Sequence, residues 1–130
     1  MNLYRLAQMD TSSKINFFDD EYEILLTTGD DQFAVKREGD SIFIYEKGQT
    51  IKSVQWNYWH ALRRYINYFH NNNVPDSLES YQSGACELKL MINTKTKFYY
   101  FSPNKPRPQN LSDFLNLLRQ AGLDAVRRCE

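Results

Sequence analysis

The amino-acid sequence predicts an α+β fold in which one mainly antiparallel sheet carries two helices on one face. Short runs of β-branched and aromatic residues are separated by glycine-containing turns, which is typical of antiparallel strands. Two longer segments instead repeat their apolar residues at helical spacing. The chain has 130 residues, so these elements are expected to form one α+β domain over residues 1–130.

Three strands are predicted after an N-terminal stretch, residues 1–20, that favours neither a helix nor a strand. They cover residues 22–28, 32–37 and 41–45. Gly29 and Gly39 lie in the short turns between them, so the three strands are expected to form an antiparallel meander.

A first helix is predicted from Ser53, a good N-cap residue, to about Asn71. Four residues at helical spacing form its apolar face: Trp59, Leu62, Ile66 and Phe69. The opposite, polar face is expected to include His60 and Arg63, with Trp56 beside them. An asparagine-rich run followed by a proline stops the helix.

The second half of the chain predicts two more strands and a second helix. The strands cover residues 86–93 and 97–102. The helix begins at Asn110 and ends before Gly122, and its apolar residues are Leu111, Phe114, Leu115 and Leu118. Residues 123–129 form either a short closing strand or a frayed tail. The order β-β-β-α-β-β-α, with an optional last strand, fits a ferredoxin-like fold or a similar two-layer sandwich.

The composition of the chain excludes several classes of protein. Apolar residues make up 42% of it, but no apolar run approaches the ~20 residues of a membrane span, so we expect no membrane contact. The opening residues lack the long apolar stretch of a signal peptide. The two cysteines, Cys86 and Cys129, are too few for a secreted disulfide scaffold. We therefore expect free thiols in a cytoplasmic protein, with Cys86 buried.

No pattern in the sequence indicates catalysis. His60 and His70, the only histidines, are ten residues apart, whereas a metal pair on one helix face prefers a spacing of about four. Nothing near Cys86 in the sequence favours the thiolate that a catalytic nucleophile needs. Phosphate-binding loops, dinucleotide glycine patterns and nucleophile elbows are absent from the sequence. We therefore expect a protein without catalytic residues, metal or cofactor.

Charged residues are unevenly distributed along the chain. The net charge is zero, but residues 10–31 carry a net charge of −6 and residues 89–128 carry +6. The two regions either make the molecule a charge dipole or neutralise each other within the fold.

Aromatic residues make up 15% of the chain, and four of them are consecutive at positions 98–101. Because side chains alternate along a strand, one pair must point away from the core, either Phe98 with Tyr100 or Tyr99 with Phe101. That pair is either covered by a second layer of the same protein or available for binding.

These features favour a small non-enzymatic protein that acts through a protein–protein interface, such as an inhibitor, immunity-type or adaptor module of a bacterium or phage. Its acidic region would steer it towards a basic partner. The predicted partner-binding residues are Trp56, His60, Arg63, Asp19, Asp20, Asp30 and Asp31. A homodimer through an exposed strand or an aromatic face is compatible with the same pattern.

The alternative is a nucleic-acid-binding module, because cations beside rings suit phosphates and bases. Its predicted residues are Lys95, Lys97, Tyr99, Lys105 and Arg107. The zero net charge weakens this alternative, since such domains are usually basic.

Overall fold

In a computed structural model, the structure describes residues 20–72, 86–103 and 106–129. Within these ranges, six strands and two α-helices follow one another, and a 3₁₀ helix comes last. Their bounds are β1 (Tyr22–Thr28), β2 (Asp31–Glu38), β3 (Ser41–Glu46), β4 (Gln49–Val54), α1 (Trp56–Asn71), β5 (Cys86–Ile92), β6 (Lys95–Phe101), α2 (Gln109–Ala121) and the 3₁₀ helix (Asp124–Cys129). The predicted α+β class is confirmed.

The strands form one sheet in the order β4-β3-β2-β1-β5-β6, and every neighbouring pair is antiparallel. The first four strands make a meander, and the β5–β6 hairpin, which follows α1, pairs with β1. A ferredoxin-like sheet interleaves its two halves, whereas this sheet adds the second hairpin to one side of the first four strands. The molecule is therefore a two-layer sandwich that differs from the ferredoxin-like fold in its strand order.

The two α-helices cover one face of the sheet. Alternate strand residues point to this face and are buried, as Ile24 and Leu26 of β1 show with 0% exposure. The predicted apolar faces of both helices are buried in the same core. Phe69 of α1 lies 5.4 Å from Tyr99 of β6 and 5.7 Å from Phe114 of α2, measured between ring centroids. One ring therefore contacts the sheet and the second helix together.

The sequence does not predict β4, and its placement of Ser53 at the start of the first helix is wrong. Ser53 lies in β4 opposite Phe43, and α1 begins at Trp56 after Gln55. β4 is an edge strand, and five of its six residues are exposed. A strand with so little buried surface lacks the alternation by which strands are recognised in a sequence.

The last described segment is neither a strand nor a frayed tail. Asp124–Cys129 forms the 3₁₀ helix, in which Ala125, Val126 and Cys129 are buried. Cys129 is bonded to Cys86 in a disulfide whose Cα atoms lie 6.0 Å apart. Cys86 is buried as predicted, but the expectation of two free thiols is wrong. Cysteines 43 positions apart carry no local pattern that shows their pairing, and the fold brings them together.

Both edge strands carry a lysine on the helical side of the sheet. Lys52 of β4 lies opposite Ile44, and Lys97 of β6 lies opposite Leu90. Ile44 and Leu90 are buried beneath the helices. An inward-pointing lysine at an edge disfavours pairing with another strand, because the added strand would enclose the charge. We therefore expect another chain to bind a face of the sheet rather than extend an edge.

Gly122 ends α2 with φ 121°, and its N–H donates to the carbonyl oxygens of Leu118 and Arg119. A Cβ at this position would lie 2.6 Å from Cδ of Lys52. We expect Gly122→Ala to lower the free energy of unfolding by about 1–3 kcal/mol in urea denaturation. Gly39→Ala is the matched control, with φ 62° and no atom within 4 Å, and it should cost only about 1 kcal/mol. Equal losses would contradict the larger cost expected at Gly122, whose φ of 121° lies farther from the left-handed helical region than that of Gly39.

Candidate binding face of the sheet

The side of the sheet away from the helices carries several large side chains. No helix within the described ranges packs on this side, which we call the outer face. It is defined by Glu23, Leu25, Ala34, Lys36, Phe43, Tyr45, Glu87, Lys89, Met91, Phe98 and Tyr100. The uncovered face of an antiparallel sheet is usually polar, so the rings on this face are unusual.

Tyr45 is held in place on the outer face by three neighbours. The Phe43 ring meets it edge-on at 6.1 Å, and Nζ of Lys36 lies 5.3 Å from its ring centroid. Its hydroxyl donates a hydrogen bond to a carboxylate oxygen of Glu38. This bond, which requires the protonated phenol, raises the pKa of Tyr45. These three contacts restrict the rotation of the Tyr45 ring.

Phe98 is a second ring on the outer face and is 41% exposed. It lies opposite Lys89, whose Nζ is 5.4 Å from its ring centroid and 3.5 Å from a carboxylate oxygen of Glu87. Tyr99, the next residue, is 1% exposed and belongs to the core. The outward pair among the four consecutive rings is therefore Phe98 with Tyr100.

Two cavities open along the outer face. The smaller, of about 240 Å³, is lined by Leu25 and Ala34 near the middle of the sheet. The larger, of about 650 Å³, begins beside Tyr22 at one end of the sheet and extends along the face. Lys36 and Tyr45 line both cavities, so the Tyr45 ring forms a wall between them. Side chains of a partner can be accommodated on either side of this ring.

The larger cavity reaches Arg63, which the sequence places on the exposed polar face of the first helix. The structure corrects this placement, because Arg63 is 2% exposed and its guanidinium carbon lies 5.8 Å from the ring centroid of Tyr22. Burial lowers the pKa of Arg63 to about 10. The spacing contained a clue, because Arg63 follows Trp59 by four positions and precedes Ile66 by three, and both lie on the apolar face.

Trp56 lies in the first turn of α1 and is 38% exposed. Its Nε1 donates to the carbonyl oxygen of Asp40 at 3.2 Å, and its ring centroid is 5.6 Å from that of His60. His60 in turn accepts a hydrogen bond at Nδ1 from Arg63, because a guanidinium can only donate. The three helix residues predicted to bind a partner therefore adjoin one another, but only Trp56 is exposed.

The predicted acidic residues are divided between the two ends of β1. Asp20 precedes β1 and lines the larger cavity. Asp30 lies in the turn after β1, and Asp31 forms an ion pair with Arg128 at 2.7 Å. The seven residues of β1 separate these positions by about 20 Å. Asp19 lies outside the described residues. The acidic residues do not form one patch, and the ion pair neutralises part of the charge within the fold.

The residues predicted for nucleic-acid binding do not form one basic surface. Tyr99 is in the core, so its assignment as a stacking residue is wrong. Arg107 donates to two backbone carbonyl oxygens, at 3.3 and 2.9 Å. Lys95 and Lys97 share the helical side of β6, where the charges of both act on His70 of α1 rather than on the outer face. Lys105 lies outside the described residues.

Comparison with known proteins assigns no family to this chain. It matches no protein-family model, and no curated protein or solved structure is significantly similar to it. Within residues 20–72, 86–103 and 106–129, no three histidine, cysteine or acidic side chains are placed to hold a metal ion. Among the helices of the same ranges, none is long and apolar enough to cross a membrane.

His60 makes the stability of the protein depend on pH. Burial, followed by the charges of Arg63 and Arg64, lowers the pKa of His60 below its usual 6.5. The unfolded chain therefore binds the proton first, and the free energy of unfolding falls as the pH drops below about 6.5. We expect the urea midpoint to decrease between about pH 7.5 and 5.5, and to decrease less in His60→Asn, whose amide accepts a hydrogen bond without titrating.

Part of the pH dependence should remain in His60→Asn, because burial also lowers the pKa of His70. His60→Asn combined with His70→Gln should therefore give the flattest profile. A profile of His60→Asn that is as steep as that of the wild type would contradict the role of His60.

Proposed function

We propose that this protein is a non-enzymatic binding protein that acts through a protein–protein interface on the outer face. The proposal is supported by one observation above all, a ring-bearing sheet face that no described helix covers. Aromatic residues are enriched where proteins bind each other, and apolar surface patches on small proteins often mark interaction sites. The inward-pointing lysines of the edge strands leave this face as the favourable place for a partner.

The outer face is suited to binding because its rings are already ordered. Tyr45 lies beneath Lys36 and is hydrogen-bonded to Glu38, and Phe98 lies beneath Lys89. Side chains that are fixed in advance lose little entropy on binding, so more of the buried area contributes to affinity. Tyr45, with a cavity on each side, is the expected centre of the interface.

The charges on the outer face favour a protein partner over nucleic acid. Lys36 and Lys89 are matched by Glu23 and Glu87 on the same face. Binding to nucleic acid gains most of its affinity from phosphate neutralisation and therefore needs an excess of cations. A protein partner with an apolar centre and a mixed polar rim needs no such excess.

The proposed mechanism is steric masking, as in an inhibitor, immunity-type or adaptor module. A broad six-stranded face covers the partner's surface and prevents other molecules from reaching it. Steering by a single acidic patch is not part of the proposal, because the acidic residues lie at both ends of β1.

Tyr45→Ala tests the outer face, because it removes the ring between the two cavities. A partner isolated from native cells with the wild-type protein should bind Tyr45→Ala at least about tenfold more weakly in calorimetry. Tyr68→Ala is the matched control, because Tyr68 is a tyrosine that is 42% exposed and lies on α1 in the helical layer. The Tyr68→Ala variant should bind the partner with wild-type affinity. Thermal unfolding of each variant establishes that it is folded.

Trp56→Ala distinguishes the outer face from the start of α1. If Trp56→Ala abolishes binding while Tyr45→Ala retains wild-type affinity, the interface lies on the helix and the proposal for the outer face is wrong. Sedimentation equilibrium of the wild type shows in addition whether a second copy of the chain is a partner.

Nucleic-acid binding remains the second candidate because Phe98 and Tyr100 both point outward beside Lys89. We expect a single-stranded oligonucleotide to show no saturable binding at low salt in fluorescence anisotropy. Saturable binding that falls steeply with salt and is lost in Phe98→Ala would instead favour this second function.

A further inference from the structure

The disulfide between Cys86 and Cys129 joins the sheet to the 3₁₀ helix. Cys86 is the first residue of β5, where it lies opposite Thr28 of β1 and Phe101 of β6. Cys129 is the last residue of the 3₁₀ helix. The two cysteines are 2% and 0% exposed, so the bond lies inside the core.

The 3₁₀ helix also has non-covalent contacts, since Arg107 donates to the carbonyl oxygen of Cys129 at 2.9 Å and Arg128 donates to Oγ1 of Thr28 at 3.3 Å. Its buried residues are Ala125, Val126 and Cys129, which are small side chains. Arg128 forms an ion pair with Asp31, but both side chains are partly exposed, and such pairs contribute little. Helices of six residues are not stable on their own. The covalent bond therefore adds to these contacts in holding this segment against the sheet.

We propose that Cys86 and Cys129 are an oxidation site, and that the chain acquires and keeps this bond in an oxidising compartment. Such compartments are the bacterial periplasm, the lumen of the endoplasmic reticulum and the cell exterior. The two thiols give up two hydrogen atoms to an external disulfide, that of a thiol–disulfide oxidoreductase or of oxidised glutathione, which leaves as two thiols. The sequence predicts a cytoplasmic location from its few cysteines and from its opening residues, and the pairing of the two thiols favours an oxidising compartment instead.

The bond is structural rather than a redox switch. Thiol–disulfide exchange requires an attacking thiolate to approach one of the sulfur atoms. With Cys86 and Cys129 at 2% and 0% exposure, that approach requires the 3₁₀ helix to leave the sheet. Labile, regulatory disulfides are usually exposed or strained.

Thiol trapping in native cells tests the proposed compartment. Cells are quenched in acid, and the full-length protein, unfolded in detergent, is treated with a maleimide-linked polyethylene glycol before and after reduction. We expect no adduct before reduction and two adducts after it. Two adducts before reduction would show that the chain is kept reduced, and would overturn the proposal.

The purified protein tests the structural role independently of its source. Reduction should lower the thermal midpoint of the wild type by about 10 °C or more, because it removes a constraint on a long loop. The double variant Cys86→Ala/Cys129→Ala is the control, and reductant should leave its midpoint unchanged. A wild-type midpoint that does not respond to complete reduction would overturn the structural role.

If the double variant does not fold, the rate at which the disulfide is reduced tests its structural role instead. A reductant should open the bond of the folded wild type far more slowly than that of the protein unfolded in urea. Equal rates would show an accessible, labile bond and would contradict the proposal.

Discussion

The contact of Phe69 with Tyr99 and Phe114 connects the sheet, α1 and α2 within one core. A helix buries one stripe of side chains, and a strand sends alternate residues to opposite sides. When α1 packs on one face of the sheet by way of Phe69, alternate strand residues are buried in the core. The residues between them then point to the outer face. The outer face is therefore a consequence of the same packing that stabilises the fold.

Register explains why large rings stand on the outer face. A shift of one residue would exchange the two sides of a strand, bringing Phe43 and Tyr45 inward and Ile42 and Ile44 outward. The observed register of β3 instead leaves Ile42 and Ile44 in the core and the rings of Phe43 and Tyr45 outside, where Lys36 lies over the Tyr45 ring. Exposed rings that are already ordered are costly for an isolated protein and favourable for one that binds another surface.

The larger cavity of the outer face and the disulfide lie at opposite ends of β1. The larger cavity begins beside Tyr22, whereas Cys86 is anchored opposite Thr28. In a chain-entropy model, closing a loop of 43 residues stabilises the folded protein by about 4 kcal/mol. That is a large fraction of the ~5–15 kcal/mol by which domains are stable. Oxidation can therefore stabilise the fold without supplying any group to the interface proposed around Tyr45.

Local sequence patterns were sufficient for the fold class, the first strand at Tyr22–Thr28 and the apolar faces of both helices, because the spacing of buried residues is a local property. They were insufficient for β4, whose exposed residues leave no alternation, and for the buried Arg63. They also left open which two of the four consecutive rings face outward, and they gave the wrong expectation that Cys86 and Cys129 are free thiols. Those outcomes depend on strand register and on contacts between residues far apart in the chain, which only the folded arrangement specifies.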